Sequence, residues 1–191
     1  MNTAKNEIEV YIEPTPNPNA LKFVANKTVK IDGKSSFKQP EDCEQIPLAF
    51  ELFKLRGVDQ VHFFGNVITV SKFAFEDWEG LEDTVIAVIK QYLPTHAPDY
   101  VEASTVKTVD RSNLTPELQQ IESILDRTIR PGLQGDGGDL ETVSLENNVL
   151  IIKYQGACGT CPSSQMGTLE AIKAILRDEF NPHIEVFAVP G

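Results

Sequence analysis

Cys158 and Cys161 stand three positions apart in GACGTCPSS, residues 156–164. The apolar run LIIKY ends just before them, Gly156 frees the backbone, and Pro162 suits the first turn of a helix, whose leading amides lack partners. The pattern predicts a strand, a tight turn and a helix start. Both sulfurs then face unpaired N–H groups and the positive end of a helix dipole. Such a setting favours the thiolate, the form that both redox exchange and metal ligation use. Gly159, between the cysteines, lets something bulky come close.

Four readings of this pair are open. A thiol–disulfide oxidoreductase also carries C-x-x-C between a strand and a helix, but its motif usually has proline inside the pair, where this chain has Gly-Thr. Structural zinc takes four ligands, and the second half of the chain adds only His183, while His62, His96 and Cys43 lie in or just after the first half. An iron–sulfur cluster takes four thiolates; one chain supplies two, and a symmetric dimer doubles them, because the same patch of both subunits meets at a two-fold axis. Two structural cysteines without a ligand are the fourth reading. Cys43, alone in PEDCEQIP, reads as a structural thiol.

The elements that must position the pair follow from periodicity. Helical spacing places Leu118, Ile121, Leu125 and Ile129 on one stripe, with Thr115 as N-cap, Pro116 in the first turn and Pro131-Gly132 as the stop. DLETVSL and NVLIIKY read as strands around an ENN turn. A long helix from Pro162 carries Met166, Leu169, Ile172 and Leu176, Pro182 ends it, and IEVFAV is a last strand. The order is α-β-β-α-β, a small sandwich with helices on one face of an antiparallel or mixed sheet. GDGGD, residues 135–139, reads as a glycine turn shaped by Asp136 and Asp139, lying beside the cysteine loop.

The first half has its own pattern. IEVYI and ALKFVA are strands separated by PTPNPN, a proline-stiffened turn. EQIPLAFELFKLRG is helical, with Leu48, Leu52 and Leu55 aligned. VDQVHFFGNVITVSKF is a hairpin turning at Gly65-Asn66, and VHFFG reads as core. Trp78, Leu81, Val85, Ile89 and Leu93 have helical spacing. Residues 26–45 are not diagnostic. The chain therefore reads as α+β with two small domains, 1–93 and 114–191, joined by a polar linker over 94–113.

The 191 residues carry a net charge of −11, which repels phosphate backbones and anionic lipid and argues against nucleic-acid or membrane binding. No run of about 18 apolar residues exists. The first residues carry no signal-peptide pattern, a trimmed transit peptide aside, and three cysteines without such a signal point to reduced thiols in a cytoplasmic setting.

The residues around the pair narrow the four readings. RP at 130–131, DGGD, GAC-x-x-CPSS and the closing EV-x-AV together resemble the C-terminal domain of the NifU/Nfu family of iron–sulfur scaffolds and carriers. PTPNPNALKF, PLAFELFKLRGVDQVHFFGN-x-ITV and W-x-x-L resemble the Nfu N-terminal domain. The resemblance implies a scaffold and not an enzyme. It places the cluster ligands on Cys158 and Cys161 and gives Cys43 no part. It further implies a four-iron four-sulfur cluster (a two-iron form being the other nuclearity) bridging a homodimer, received from a donor scaffold and delivered to acceptor apo-proteins.

Overall fold

The computed structural model describes residues 7–100, 114–160 and 162–189. The chain divides into two compact units, Met1–Glu102 and Ala103–Gly191. Both are α+β, as the sequence predicts.

The first unit is built on an antiparallel sheet in the order β1-β2-β5-β4-β3, from β1 (Val10–Pro14), β2 (Ala20–Ala25), β3 (Lys34–Phe37), β4 (Val58–Phe64) and β5 (Val67–Lys72). Helices α1 (Pro47–Phe53) and α2 (Leu81–Tyr92) pack on it. Phe23, Phe37, Val61, Phe63, Ile68 and Val70 from the strands meet Leu48, Leu52, Val85 and Ile89 from the helices, all within 1 % of full burial. The predicted hairpin turns at Gly65, whose φ of 57° asks for glycine. The PTPNPN segment is held by its own polar groups: Thr15 Oγ1 donates to the Asn17 and Ala20 carbonyls, and Asn17 Oδ1 accepts from the Asn19 amide.

Three features of this unit depart from the sequence pattern. The short strand β3 and a 3-10 turn over Pro40–Cys43 lie within 26–45, where the sequence pattern assigns no element. Trp78 lies before its helix and not in it: Gly80, at φ 79°, is the N-cap of α2, and the indole Nε1 instead donates to the Pro18 carbonyl at 3.0 Å. Residues 94–100, read as the start of the linker, fold back on the sheet. His96 Nε2 donates to the Val29 carbonyl at 2.7 Å, and its ring meets Phe63 and Tyr100 edge-on. Lys27 Nζ donates to the Leu93 and Pro94 carbonyls, Lys30 Nζ to that of Tyr100, and the Ile31 amide to that of Pro98. A polar sequence concealed this because the contacts go to backbone groups, which periodicity does not report.

The second unit has a three-stranded mixed sheet. β6 (Gly138–Glu146) and β7 (Val149–Gly156) form a hairpin, and β8 (Glu185–Val189) joins β7 in parallel. Asn147 and Asn148, at φ 50° and 64°, make the hairpin turn with the left-handed pair that matches strand twist. Helix α3 (Pro116–Thr128) starts as predicted, with Thr115 Oγ1 accepting from the Leu118 amide at 3.3 Å. Pro131-Gly132 does not end the helical path: after a break at Ile129 a short helix α4 (Arg130–Gly135) takes Pro131 in its first turn, where a missing N–H costs nothing. Helix α5 (Pro162–Glu179) buries Ile172 and Leu176 completely, whereas Met166 is 72 % exposed. Leu169 packs on the core as the stripe predicts, and the core ends before Met166 is reached.

The His96 contact has a measurable consequence. Burial holds the imidazole below its ordinary pKa of 6.5, outweighing the opposing effect of its bond to Val29. The fold thus keeps the neutral ring, and the unfolded chain takes up the proton first. His96 contributes fully above about pH 6.5 and its contribution is lost as pH falls below that value. Urea midpoints followed by Trp78 fluorescence should fall between about pH 7.5 and about pH 5.5, and His96→Gln should flatten that dependence. An equal slope in both proteins would remove His96 as the cause.

Candidate functional site

The hairpin β6–β7 opens at one end on two paired glycines, Gly138 and Gly156. Gly156 takes φ 62° and Gly137 takes φ 78°, so both strands leave the sheet through left-handed residues. The Ala157 amide donates to the Gly137 carbonyl at 3.1 Å and extends the pairing by one bond. Cys158 follows in a 3-10 turn, Ala157–Thr160, before α5 begins at Pro162.

Cys158 is 6 % exposed and packs in the core of this unit. A Cβ added at Gly138 would lie 2.5 Å from Cys158 Sγ and 2.9 Å from the Cys158 nitrogen and the Gln155 oxygen. Glycine at 138 is therefore a steric requirement of the sulfur's position. GDGGD and the cysteine loop, adjacent only as a sequence expectation, touch here.

Gln165, in the first turns of α5, ties the loop down. Its Nε2 donates to the carbonyls of Cys158 and Gly159 at 3.0 and 3.1 Å, and its own carbonyl accepts from Tyr154 Oη at 3.2 Å. Burial, and then the neighbouring Cys158 charge, hold the Tyr154 phenol well above its usual range, so it stays a donor. The link thus runs from the last buried residues of β7 through α5 back to the cysteine turn.

A buried ion cluster fixes the other wall. Arg130, 5 % exposed, lies 3.0 Å from Glu122, 2.5 Å from Asp126 and 3.5 Å from Asp139. Burial works against its charge, but the three carboxylates outweigh it and keep the guanidinium protonated. Glu122 also accepts from Thr142 Oγ1, and Asp139 accepts from the Leu140 amide and Gln134 Nε2. The turn between α4 and β6 is therefore anchored on both sides of Gly137-Gly138.

Of the other candidates, Cys161 lies outside the described residues. Cys43 is 1 % exposed, contacts the Pro40 carbonyl at 3.4 Å, and its thiol is pushed up to about 12 by burial and then by Asp42, Glu41 and Glu44. It is a structural thiol held protonated. His62 is buried with Nδ1 2.6 Å from Ser36 Oγ, His96 is bound to Val29, and His183 is exposed. Neither Cys43 nor Cys158 is in a disulfide, and among the described residues no three His, Cys, Asp or Glu side chains converge as metal ligands. Arg130 stands in the sequence only as part of the RP pair at 130–131, and neither Gln165 nor Tyr154 is singled out there. An amide in the first turns of a helix that follows a cysteine turn was the available signal for Gln165.

Comparison with known proteins now defines the class. Residues 10–96 match the model of the scaffold protein Nfu/NifU N terminal, and residues 121–187 match that of the NifU-like domain. The chain belongs to the Nfu/NifU family, whose members are scaffolds and not enzymes. It is 32 % identical over 169 residues to the human protein named NFU1 iron-sulfur cluster scaffold homolog, mitochondrial, covering 88 % of this chain and 66 % of that protein. It is also 32 % identical over 180 residues to a NifU-like protein of Schizosaccharomyces pombe, covering 91 % of this chain and 69 % of the relative. The chain thus spans about two thirds of the length of these relatives. The solution structure of a NifU-like protein from Saccharomyces cerevisiae aligns with a TM-score of 0.46 at 22 % identity, over 55 % of this chain and 92 % of its own.

The glycine contact predicts a specific defect. Gly138→Ala should displace the Cys158 sulfur, cost about 1–3 kcal/mol in the second unit, and speed alkylation of Cys158 as read by mass spectrometry. Unchanged stability together with unchanged alkylation would show that the sulfur does not depend on this seat.

Proposed function

We propose that this chain carries an iron–sulfur cluster as cargo, held between the Cys158–Cys161 pairs of two copies and handed to acceptor apo-proteins. The observation that carries the reading is the seat of Cys158: a thiol on a glycine-lined turn, roofed by backbone and fixed by Gln165, in a chain that belongs to a scaffold family. Two thiolates per chain are half of a four-thiolate set, and a second copy supplies the rest by symmetry.

This reading requires a loading step. With the residue 6 % exposed, the Cys158 sulfur must leave its place against Gly138 before it can ligate anything outside the chain. The 157–160 turn is the element that moves, and Gln165 is what it lets go or swings with. Cluster binding then draws two chains together by mass action, since the metal binds only the paired state. Delivery begins when an acceptor thiolate displaces one of the four sulfurs, and it is completed on an acceptor that offers its ligands preorganised within one chain. The four-iron four-sulfur form fits four thiolates; a two-iron form uses the same set.

The cargo pair belongs to the domain proposed over 114–191; of the stretch 94–113 proposed as its connection to the domain over 1–93, residues 94–100 pack on the first unit. Donor scaffold and acceptors are the partners. The compartment must keep the thiols reduced. The cytoplasm meets that condition, and so does the mitochondrion that the human relative's name carries.

Anaerobic reconstitution with iron and sulfide tests the proposal. Cys158→Ala and Cys161→Ala should each lose the cluster, Cys43→Ala should keep it, and the loaded protein should have twice the mass of the metal-free chain. Mössbauer spectra should give the nuclearity. Iron retained by Cys161→Ala, or a loaded form of monomeric mass, would sink the bridging site. A colourless protein whose cysteines titrate as a dithiol couple would assign the pair to thiol–disulfide exchange instead.

A further inference from the structure

The loop from β5 to α2 displays two aromatic rings to solvent. Phe75 is 81 % exposed and Phe73 is 41 % exposed, and neither is part of the first unit's core. The rings stack, 5.6 Å apart and inclined by 5°. Single exposed apolar residues are ordinary, but a stacked pair on an ordered loop is a patch.

The loop is pinned along its length. The Phe73 amide donates to the Gly57 carbonyl, the Glu76 amide to that of Phe73, the Trp78 indole to that of Pro18 and the Leu81 amide to that of Trp78, each at 3.0 Å. Gly57, at φ 101°, lets the neighbouring loop pass: a Cβ there would stand 3.3 Å from Glu76 Cγ. The rings are thus presented already ordered, which removes most of the entropy cost of using them.

Glu76 and Asp77, which follow Phe75 in the loop, line an open hollow of about 510 Å³ together with Glu79, Leu55, Leu81 and Thr84. Glu82 and Asp83 follow in the first turn of α2. Against these five carboxylates stands Arg56, 3.6 Å from Glu76. Exposed aromatic rings followed in the loop by a run of carboxylates select by charge. Anionic lipid and nucleic acid are repelled, and two copies face each other with like charges.

We infer that Phe73 and Phe75, with the carboxylates that follow them in the loop and the start of α2, are a docking surface for a partner protein that presents an apolar side chain flanked by lysine or arginine. The rings take the anchor, and the carboxylates steer and orient the basic flanks. The surface belongs to the first unit and the cysteine turn to the second, so the inference stands or falls independently of the cluster reading. If that reading also holds, the partner is an acceptor or donor held while the second unit exchanges cargo.

The probe is a twelve-residue peptide with a Phe-Leu anchor between lysines, titrated into the metal-free full-length chain. Binding is read by the fluorescence of Trp78, the single tryptophan, and by amide shifts over residues 73–84. Saturable binding with shifts confined to those residues is expected. F73S/F75S should weaken it at least about tenfold. E76Q/D77N/E79Q should weaken it about tenfold at low salt and less at high salt. The same peptide with glutamate for lysine should not bind. F75S alone changes a ring already in water, so its loss of binding cannot be laid to misfolding; F75S should retain the wild-type urea midpoint. Equal binding of the acidic peptide, unchanged binding by F73S/F75S, or shifts centred elsewhere would overturn the assignment. Self-association that F75S abolishes would give the patch to a second copy and overturn it as well.

Discussion

Arg130 is the hinge pin of the second unit. It is buried between Glu122 of α3 and Asp139 of β6, and it reaches Asp126 one turn along α3. Charges so placed are costly to desolvate and tolerable only together; removing one member of such a group typically costs about 3–5 kcal/mol because its partners stay behind uncompensated. The cluster therefore fixes where β6 begins relative to α3. That start fixes Gly138, Gly138 fixes the Cys158 sulfur, and the sulfur's position decides whether the turn can carry ligand chemistry. A long-range electrostatic constraint is converted, through one missing Cβ, into the placement of a thiol.

Under the proposed function, the chemistry asked of the cysteine turn pulls in two directions. A carrier must hold its cargo against loss and still release it. A thiol that is well packed when metal-free and must move to ligate sits between these demands, because the contacts it gives up against Gly138 and the core oppose the bonds it forms. Gln165 bears on the same balance: it binds the Cys158 and Gly159 carbonyls from α5, so movement of the turn is coupled to the helix that starts beside it.

Much of this architecture was legible in the sequence because its causes are local. A bounded apolar run marked β7, helical spacing marked α3 and the buried half of α5, and Asn147-Asn148 and Thr115 announced a turn and a cap by their own chemistry. What escaped depended on partners far away in the chain. Pro131-Gly132 reads as a helix stop until tertiary packing supplies a second short helix behind it. Trp78 has helical spacing, yet its indole is claimed by Pro18, sixty residues earlier. The thiol pair was visible as a pair; its seat was not, since no spacing rule says that residue 138 must lack a side chain because of residue 158. Met166 failed for a simpler reason, the finite length of the core under α5.

The clasp of residues 93–100 by Lys27, Lys30, Val29 and Ile31 also bears on how the polypeptide is made. Strand β5 and helix α2 leave the ribosome well before Tyr100 does, and until then Lys27 and Lys30 lack the carbonyls that receive them and Phe63 lacks the ring that covers it. The first unit is finished only as the translated chain passes that point, and the second is still unmade. Domains that mature in order of synthesis avoid pairing the strands of one with those of the other. The nascent chain thus acquires a closed body before its reactive thiol pair has been translated.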